Sequence, residues 1–189
     1  VLMRRFAWAD AEIKKGNYVD FRKQMISENL TGLEDMTVGV IGLGSIGLAV
    51  ATAFHRMGSK IVYHDPALKD PTDADQISAL ALPLEDVLKL SDVVTLHVPL
   101  IPETEGLIGD TQLSSMKPGS ILIHAARGGV VDEMALAQHL TTGHIGGAAV
   151  DVYSSEPPEA DNPLFSLNGD AAQRVIFAPH IAGVPRQAW

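Results

Sequence analysis

Five apolar runs in this chain each lead into a polar residue, and that pattern restricts the fold more than any other feature. Thr37-Val38-Gly39-Val40-Ile41 opens into Gly42-Leu43-Gly44-Ser45-Ile46-Gly47. Lys60-Ile61-Val62-Tyr63-His64 ends at Asp65. Ile121-Leu122-Ile123-His124 leads to Arg127. Gly147-Ala148-Ala149-Val150 ends at Asp151, with Glu156 beyond, and Val175-Ile176-Phe177 leads to His180. Residues 92–96 read as a further buried strand. Helix-like stretches lie between them at 45–57 (closed by Gly58), 84–90, 111–116 and 132–141. Apolar strands alternating with helices imply an α/β fold, a doubly wound parallel sheet covered by helices on both faces. Ligands bind such sheets outside the carboxyl ends of the strands. One crevice can therefore collect all of these polar groups.

The remaining segments punctuate that core. Residues 1–15 have helical spacing and stop at Gly16-Asn17. Residues 18–32 read as a polar connector with Tyr18, Phe21 and Met25 interspersed. Residues 65–79 are an acidic loop with at most a short helix, 98–111 a loop with room for helical turns, and 157–168 a proline-rich loop. A length of 189 residues suits one domain with extensions. The expected division is 1–36 as leading helix and connector, 37–183 as core, and 184–189 as the start of a returning helix.

The formal charge of −9 argues against nucleic-acid or anionic-membrane partners, which need a basic face. An anionic cofactor is still admissible, because backbone dipoles act locally at a helix start. The absence of cysteine excludes disulfides, thiolate metal sites and cysteine nucleophiles. No run of about 18 apolar residues and no charged-then-apolar leader is visible, so neither a membrane span nor a signal peptide is expected and a cytoplasmic location is. The histidines and carboxylates show no tight ligand spacing, so no metal is expected.

Gly42, Gly44 and Gly47 form G-x-G-x-x-G between a strand and an uninterrupted helix. The first glycine permits a tight turn, the second lets a pyrophosphate approach the backbone, and the third lets helix and strand pack closely. Asp65 lies near the spacing at which an acidic residue meets the adenosine ribose. No arginine follows it, so NAD is favoured over NADP. A turn aspartate before Pro66 is the plainer reading of Asp65 alone; the glycine motif overrides it. Arg127 has the geometry to grip a carboxylate through two hydrogen bonds, although a lone arginine past a strand is more often solvated. His180 suits proton exchange between hydroxyl and carbonyl, and Glu156 would orient and charge it. Of the other histidines, His55 and His139 are expected at the surface, and His97 is expected to line the cleft through its backbone.

These blocks, taken together and in order, resemble the D-isomer-specific 2-hydroxyacid dehydrogenases, and within them the members acting on 3-phosphoglycerate or hydroxypyruvate. The matching stretches are Val40 to Gly47, His97-Val98-Pro99-Leu100 with Pro102-Glu103-Thr104 and Gly106-Leu107-Ile108, and Met116-Lys117-Pro118-Gly119. They continue with Ala126-Arg127-Gly128-Gly129-Val130-Val131-Asp132-Glu133, Asp151-Val152-Tyr153 with Glu156-Pro157, and Pro179-His180-Ile181-Ala182-Gly183. One departure is His124, where the family usually carries asparagine.

The resemblance implies a Rossmann-type NAD-binding domain and hydride transfer between NAD(H) and a 2-hydroxy or 2-oxo acid. It implies Arg127, Glu156 and His180 as the catalytic trio. Ser45 and Ile46 would meet the pyrophosphate, Asp65 the ribose, and His97, Val98, Pro99 and Thr104 the adenosine side. Ala125, Ala126, Asp151 and Gly183 would line the nicotinamide end with Arg127 and His180. It further implies a homodimer through the cofactor domain, with residues 1–15 and 18–25 as candidate contacts. The family's usual N-terminal substrate domain is not expected within this sequence, so the isolated chain is expected to bind NAD(H) and turn over poorly. The alternative of another class is a non-catalytic, NAD-sensing corepressor-like protein of the same fold.

Overall fold

A computed structural model describes residues 2–27, 32–68 and 70–183. Among these, the strands are β1 (Thr37–Ile41), β2 (Lys60–His64), β3 (Leu80–Ala81), β4 (Val93–Leu96), β5 (Ser120–His124), β6 (Ile145–Val150) and β7 (Val175–Phe177). They form one parallel sheet in the order β3-β2-β1-β4-β5-β6-β7. The chain winds outward from β1 to β3, then returns beside β1 and winds the other way. The crevice above β1 and β4 is the switch point at which such sheets take ligands.

Register brings the expected site residues to one edge. Ile41 pairs with both His64 and Leu96, Leu96 with His124, His124 with Val150, and Val150 with Phe177. The strand ends are level, so the loops that follow them open on the same side.

The helices are α1 (Phe6–Lys14), α2 (Tyr18–Ser27), α3 (Ser45–Arg56), α4 (Thr72–Gln76), α5 (Leu84–Leu90), α6 (Asp110–Ser115), α7 (Glu133–Thr142) and α8 (Gly169–Gln173). One face of the sheet buries Ile41, Val94, Leu96, Leu122 and Val150 with Val87 and Leu88 of α5, Leu113 of α6 and Leu136 and Leu140 of α7. The other buries Val38, Val40, Ile61 and Tyr63 with Ala51 of α3 and Ala74 of α4. Among the described residues, cover on this second face is thinner over β4 to β7. There Val93, Ile121, Ile123, Ala149 and Ile176 line an apolar groove of about 710 Å³ with Phe54 and Met57.

Several expectations need correction. The stretch read as a polar connector contains α2, anchored by Phe21, which packs edge-on against Trp8 at 4.9 Å. A single buried residue holds this helix, too weak a stripe to show as periodicity. The leading helix does not run unbroken from its start: a 3-10 turn at Leu2–Arg4 precedes α1, and Arg5 between them has φ +47°. The Arg5 guanidinium bonds Asp170 and lies over the Trp8 ring, so the break is where the chain is tied to the body of the domain. β3 and α8 went unread because they span only two and five residues. Arg174 follows directly on α8 as its C-cap. Its buried guanidinium donates to Leu140 O, Ile145 O and Asp170 Oδ2 at 2.6–2.8 Å, joining α7, β6 and α8. The expected returning helix at 184–189 lies outside the described residues.

Candidate functional site

The glycine loop between β1 and α3 is shaped by two contacts that only glycine allows. Gly42 has φ +89°, and a Cβ at Gly47 would stand 2.0 Å from Gly42 O. Helix α3 therefore begins directly against the end of β1. Around Gly44 there is open space, with nothing within 4 Å of where its Cβ would be. Gly44, Ser45 and Ile46 are exposed, and Ile46 is 71% exposed despite its apolar side chain. The first N–H groups of a helix carry partial positive charge and point outward unpaired. An anion can thus approach the backbone here without obstruction.

Asp65 closes the other side of the loop. Its Oδ2 accepts the Leu43 N–H at 2.7 Å, and its Oδ1 accepts the Ala67 N–H at 2.9 Å. Each carboxylate oxygen keeps a further acceptor site. Beside it lies a cavity of about 430 Å³ lined by Tyr63, His64, Pro66, Leu68, Leu82 and Pro83. Sequence reasoning missed this cavity, because its far wall follows the two-residue β3.

The loop after β4 faces the same crevice. A Cβ at Gly42 would meet His97 O at 2.8 Å and Val98 Cγ1 at 2.9 Å, so His97 and Val98 support the glycine loop from below. His97 is partly buried, and burial pushes its imidazole towards the neutral form. Pro99 is exposed. Thr104 Oγ1 donates to Pro99 O at 2.6 Å and accepts from Ile101 N–H at 3.0 Å, which shapes the turn carrying Pro99.

The third group of residues sits past β5, β6 and β7. Ala125 is partly buried and Ala126 buried, while Arg127 is exposed, its Nη1 donating to Ala126 O at 2.6 Å. His180 Nδ1 lies 2.7 Å from Glu156 Oε2, and Glu156 Oε1 accepts the Tyr153 N–H at 3.1 Å. The His180 hydrogen bond, then the Tyr153 N–H, with smaller contributions from the charges of His180 and Arg127, hold the Glu156 carboxyl below the usual range. His180 and Glu156 are thus brought together, and the charge of Arg127 is felt at Glu156. Gly183 is exposed at the end of the described chain. Gly128 is a residue whose role the sequence did not reveal: a Cβ there would stand 1.7 Å from Tyr153 O. This close approach seats the Arg127 loop on the loop that carries Glu156.

His124 ends β5 with its ring buried, 2% exposed and with Nδ1 unpartnered. Burial lowers its pKa to about 4. Of the histidines expected at the surface, His55 is exposed, whereas His139 is partly buried and bonds Asp110 Oδ1 at 2.9 Å. Among the described residues no helix is long and apolar enough to cross a membrane.

Comparison with known proteins agrees with this geometry. The family model for the D-isomer specific 2-hydroxyacid dehydrogenase NAD binding domain matches residues 1–182. A D-3-phosphoglycerate dehydrogenase of Archaeoglobus fulgidus is 40% identical over 185 residues, which are 98% of this chain and 33% of that protein. Among solved structures, D-mandelate dehydrogenase of Rhodotorula graminis superposes with a TM-score of 0.87 at 28% identity, covering 99% of this chain and 54% of that one. D-lactate dehydrogenase of Aquifex aeolicus, solved with NAD and lactic acid, gives 0.84 at 30% identity, covering 99% and 57%. The chain spans about a third of the curated relative and somewhat over half of each solved one. With a matching profile over nearly every residue and the same doubly wound sheet, this chain belongs to the D-isomer-specific 2-hydroxyacid dehydrogenase family, as its NAD-binding domain.

Proposed function

We propose that this chain forms the cofactor-binding and proton-handling part of an NAD-dependent oxidoreductase acting on a 2-hydroxy or 2-oxo acid. The observation that carries this reading is the alignment on one sheet edge of an open glycine loop with a His180–Glu156 pair at 2.7 Å. The residues present fit NAD. The space at Gly44 and the start of α3 would take the pyrophosphate, Asp65 the ribose hydroxyls, and the cavity between Pro66, Leu82 and Pro83 the adenine. His97, Val98, Pro99 and Thr104 would wall the adenosine side. Ala125, Ala126, Asp151 and Gly183 would border the nicotinamide end.

Bound NAD(H) would supply the hydride. The chain's own residues do the rest. Arg127, swinging from the Ala126 carbonyl, would grip the substrate carboxylate and stabilise negative charge growing on the 2-oxygen. His180 would give that oxygen its proton from Nε2, and take it back in the reverse direction. Glu156 fixes the ring through Nδ1.

Calorimetric titration checks the cofactor reading. NAD and NADH are expected to bind, NADP to bind more weakly. Asp65→Asn is expected to weaken NAD about tenfold, the loss of roughly 1.5 kcal/mol from a hydrogen bond to a charged acceptor. A well-folded chain that gives no heat with either nicotinamide nucleotide would end this reading. NADH oxidation with glyoxylate, hydroxypyruvate or 3-phosphohydroxypyruvate tests the substrate class. Turnover by the 189-residue chain alone is expected to be poor, because Arg127 and His180 stand exposed to water.

We also propose that two copies associate through α1 and α2. Phe6, Ile13, Tyr18, Val19 and Ile26 are each between 47% and 62% exposed there, an amount of exposed apolar side chain that suits a covered surface. Sedimentation is expected to show a dimer that Val19→Asp with Ile26→Asp dissociates; a wild-type monomer at high concentration contradicts it. A cytoplasmic location accords with the absence of cysteine.

A further inference from the structure

The loop leaving β6 holds the loop leaving β7 at three places. Glu156 bonds the His180 ring. Tyr153 Oη donates to Ala178 O at 3.0 Å, two residues before that histidine. Asp151 accepts the next two backbone N–H groups, Ile181 to Oδ1 at 3.0 Å and Ala182 to Oδ2 at 2.9 Å. Between these fastenings His180 adopts φ +54°. A non-glycine residue holds such a left-handed conformation only where its surroundings impose it, since it costs about 1 kcal/mol or more.

Burial separates the fasteners from what they hold. Asp151 and Tyr153 are 7% and 6% exposed, while His180 and Ile181 are exposed. Ala178 N–H is already bonded to Val150 O, so Tyr153 adds the second tie to that residue. The Tyr153 ring is itself wedged against Phe165, which meets Phe177 edge-on at 5.2 Å. The phenol remains protonated and can donate: burial first, then the charges of Asp151, Glu133 and Glu156, raise its pKa.

We infer that Asp151 and Tyr153 are positioning residues for His180, imposing its left-handed backbone so that Nδ1 meets Glu156 and Nε2 turns to the crevice. The backbone cannot leave this conformation without breaking two hydrogen bonds to one buried carboxylate, each of the stronger charge-assisted kind. Its importance for catalysis rests on the function proposed above; the clamp itself does not.

Proton NMR of the 189-residue chain in cold water tests it without cofactor or turnover. A downfield imidazole N–H resonance is expected from the His180–Glu156 hydrogen bond, assigned by its loss in Glu156→Gln. Asp151→Asn keeps the side chain's size but swaps one acceptor for a donor, which faces the N–H of residue 181 or 182; the resonance is expected to be lost. Tyr153→Phe retains the ring packing and removes only the tie to Ala178; exchange of the proton with water is expected to speed up several-fold. Should Asp151→Asn fail to fold, Tyr153→Phe carries the test alone. An unchanged resonance in folded variants overturns the inference, as does its absence from the folded wild type. NAD titration of the same wild-type sample reports on the cofactor reading separately.

Discussion

Gly47→Ala is expected to lower NAD affinity about 100-fold and to destabilise the domain by roughly 1–3 kcal/mol. The new methyl would lie 2.0 Å from Gly42 O and 3.4 Å from His97 Cβ. The first of these is backbone, held in place by Gly42 N–H bonding His64 O at 2.9 Å and by the φ of +89° at Gly42. No rotamer change relieves such a contact; the start of α3 must swing away from β1. That movement displaces the N–H groups of Ser45 and Ile46 from wherever a pyrophosphate would rest. Losing two hydrogen bonds to an anion at about 1.5 kcal/mol each gives the hundredfold figure. Gly44→Ala supplies the contrast. Its methyl meets nothing within 4 Å, so the melting temperature is expected to stay at the wild-type value while binding falls by a similar factor. Calorimetry and thermal melts on the two variants check both parts. NAD binding by Gly47→Ala at wild-type strength would show that the loop does not seat the cofactor.

What could be read from the sequence was what rests on local rules. The β1–glycine loop–α3 unit has all its determinants within twenty residues, and the strand ends at Asp65, Asp151 and His180 follow from period and register. The His180–Glu156 pair was legible from the chemistry of an imidazole and a carboxylate past strand ends, and the resemblance added its role, although 24 residues separate the partners. Tertiary contacts decide the elements that escaped. Helix α2 stands on one edge-on contact between Phe21 and Trp8, and β3 exists because Leu80 and Ala81 find Val62 and Tyr63. Asp151 shows the same limit at the site. Its chemistry marks it as an acceptor, but nothing local says that its partners are the N–H groups thirty residues on. Gly128 likewise reads as a turn glycine until the Tyr153 carbonyl appears against it.

His124 makes the domain acid-sensitive in a pH range above that of most carboxylates. In the unfolded chain its imidazole titrates near 6.5; folded, burial holds it to about 4. The ring is 2% exposed with Nδ1 unpartnered, so a proton at Nδ1 has no acceptor to offset lost hydration. The sign follows from proton uptake. Between the two values the unfolded chain binds a proton that the folded chain refuses, so folding stability falls as pH falls. The contribution is intact above pH 6.5 and is lost progressively down to about pH 4, where at ~1.4 kcal/mol per pKa unit the whole loss approaches about 3 kcal/mol. Between about pH 7.5 and pH 5, before carboxylates protonate in number, roughly 2 kcal/mol of it should appear. His97, also held towards neutrality by burial, adds a loss of the same sign, so the wild type alone does not isolate His124. His124→Asn does, by placing at that position an amide that cannot titrate and that the family usually carries. Urea unfolding of both proteins at the two pH values is expected to show the wild type losing about 2 kcal/mol more than the variant on acidification. The variant's own stability at neutral pH is immaterial to this difference. Equal losses in the two proteins would mean that His124 takes up its proton in the folded state as readily as in the unfolded chain.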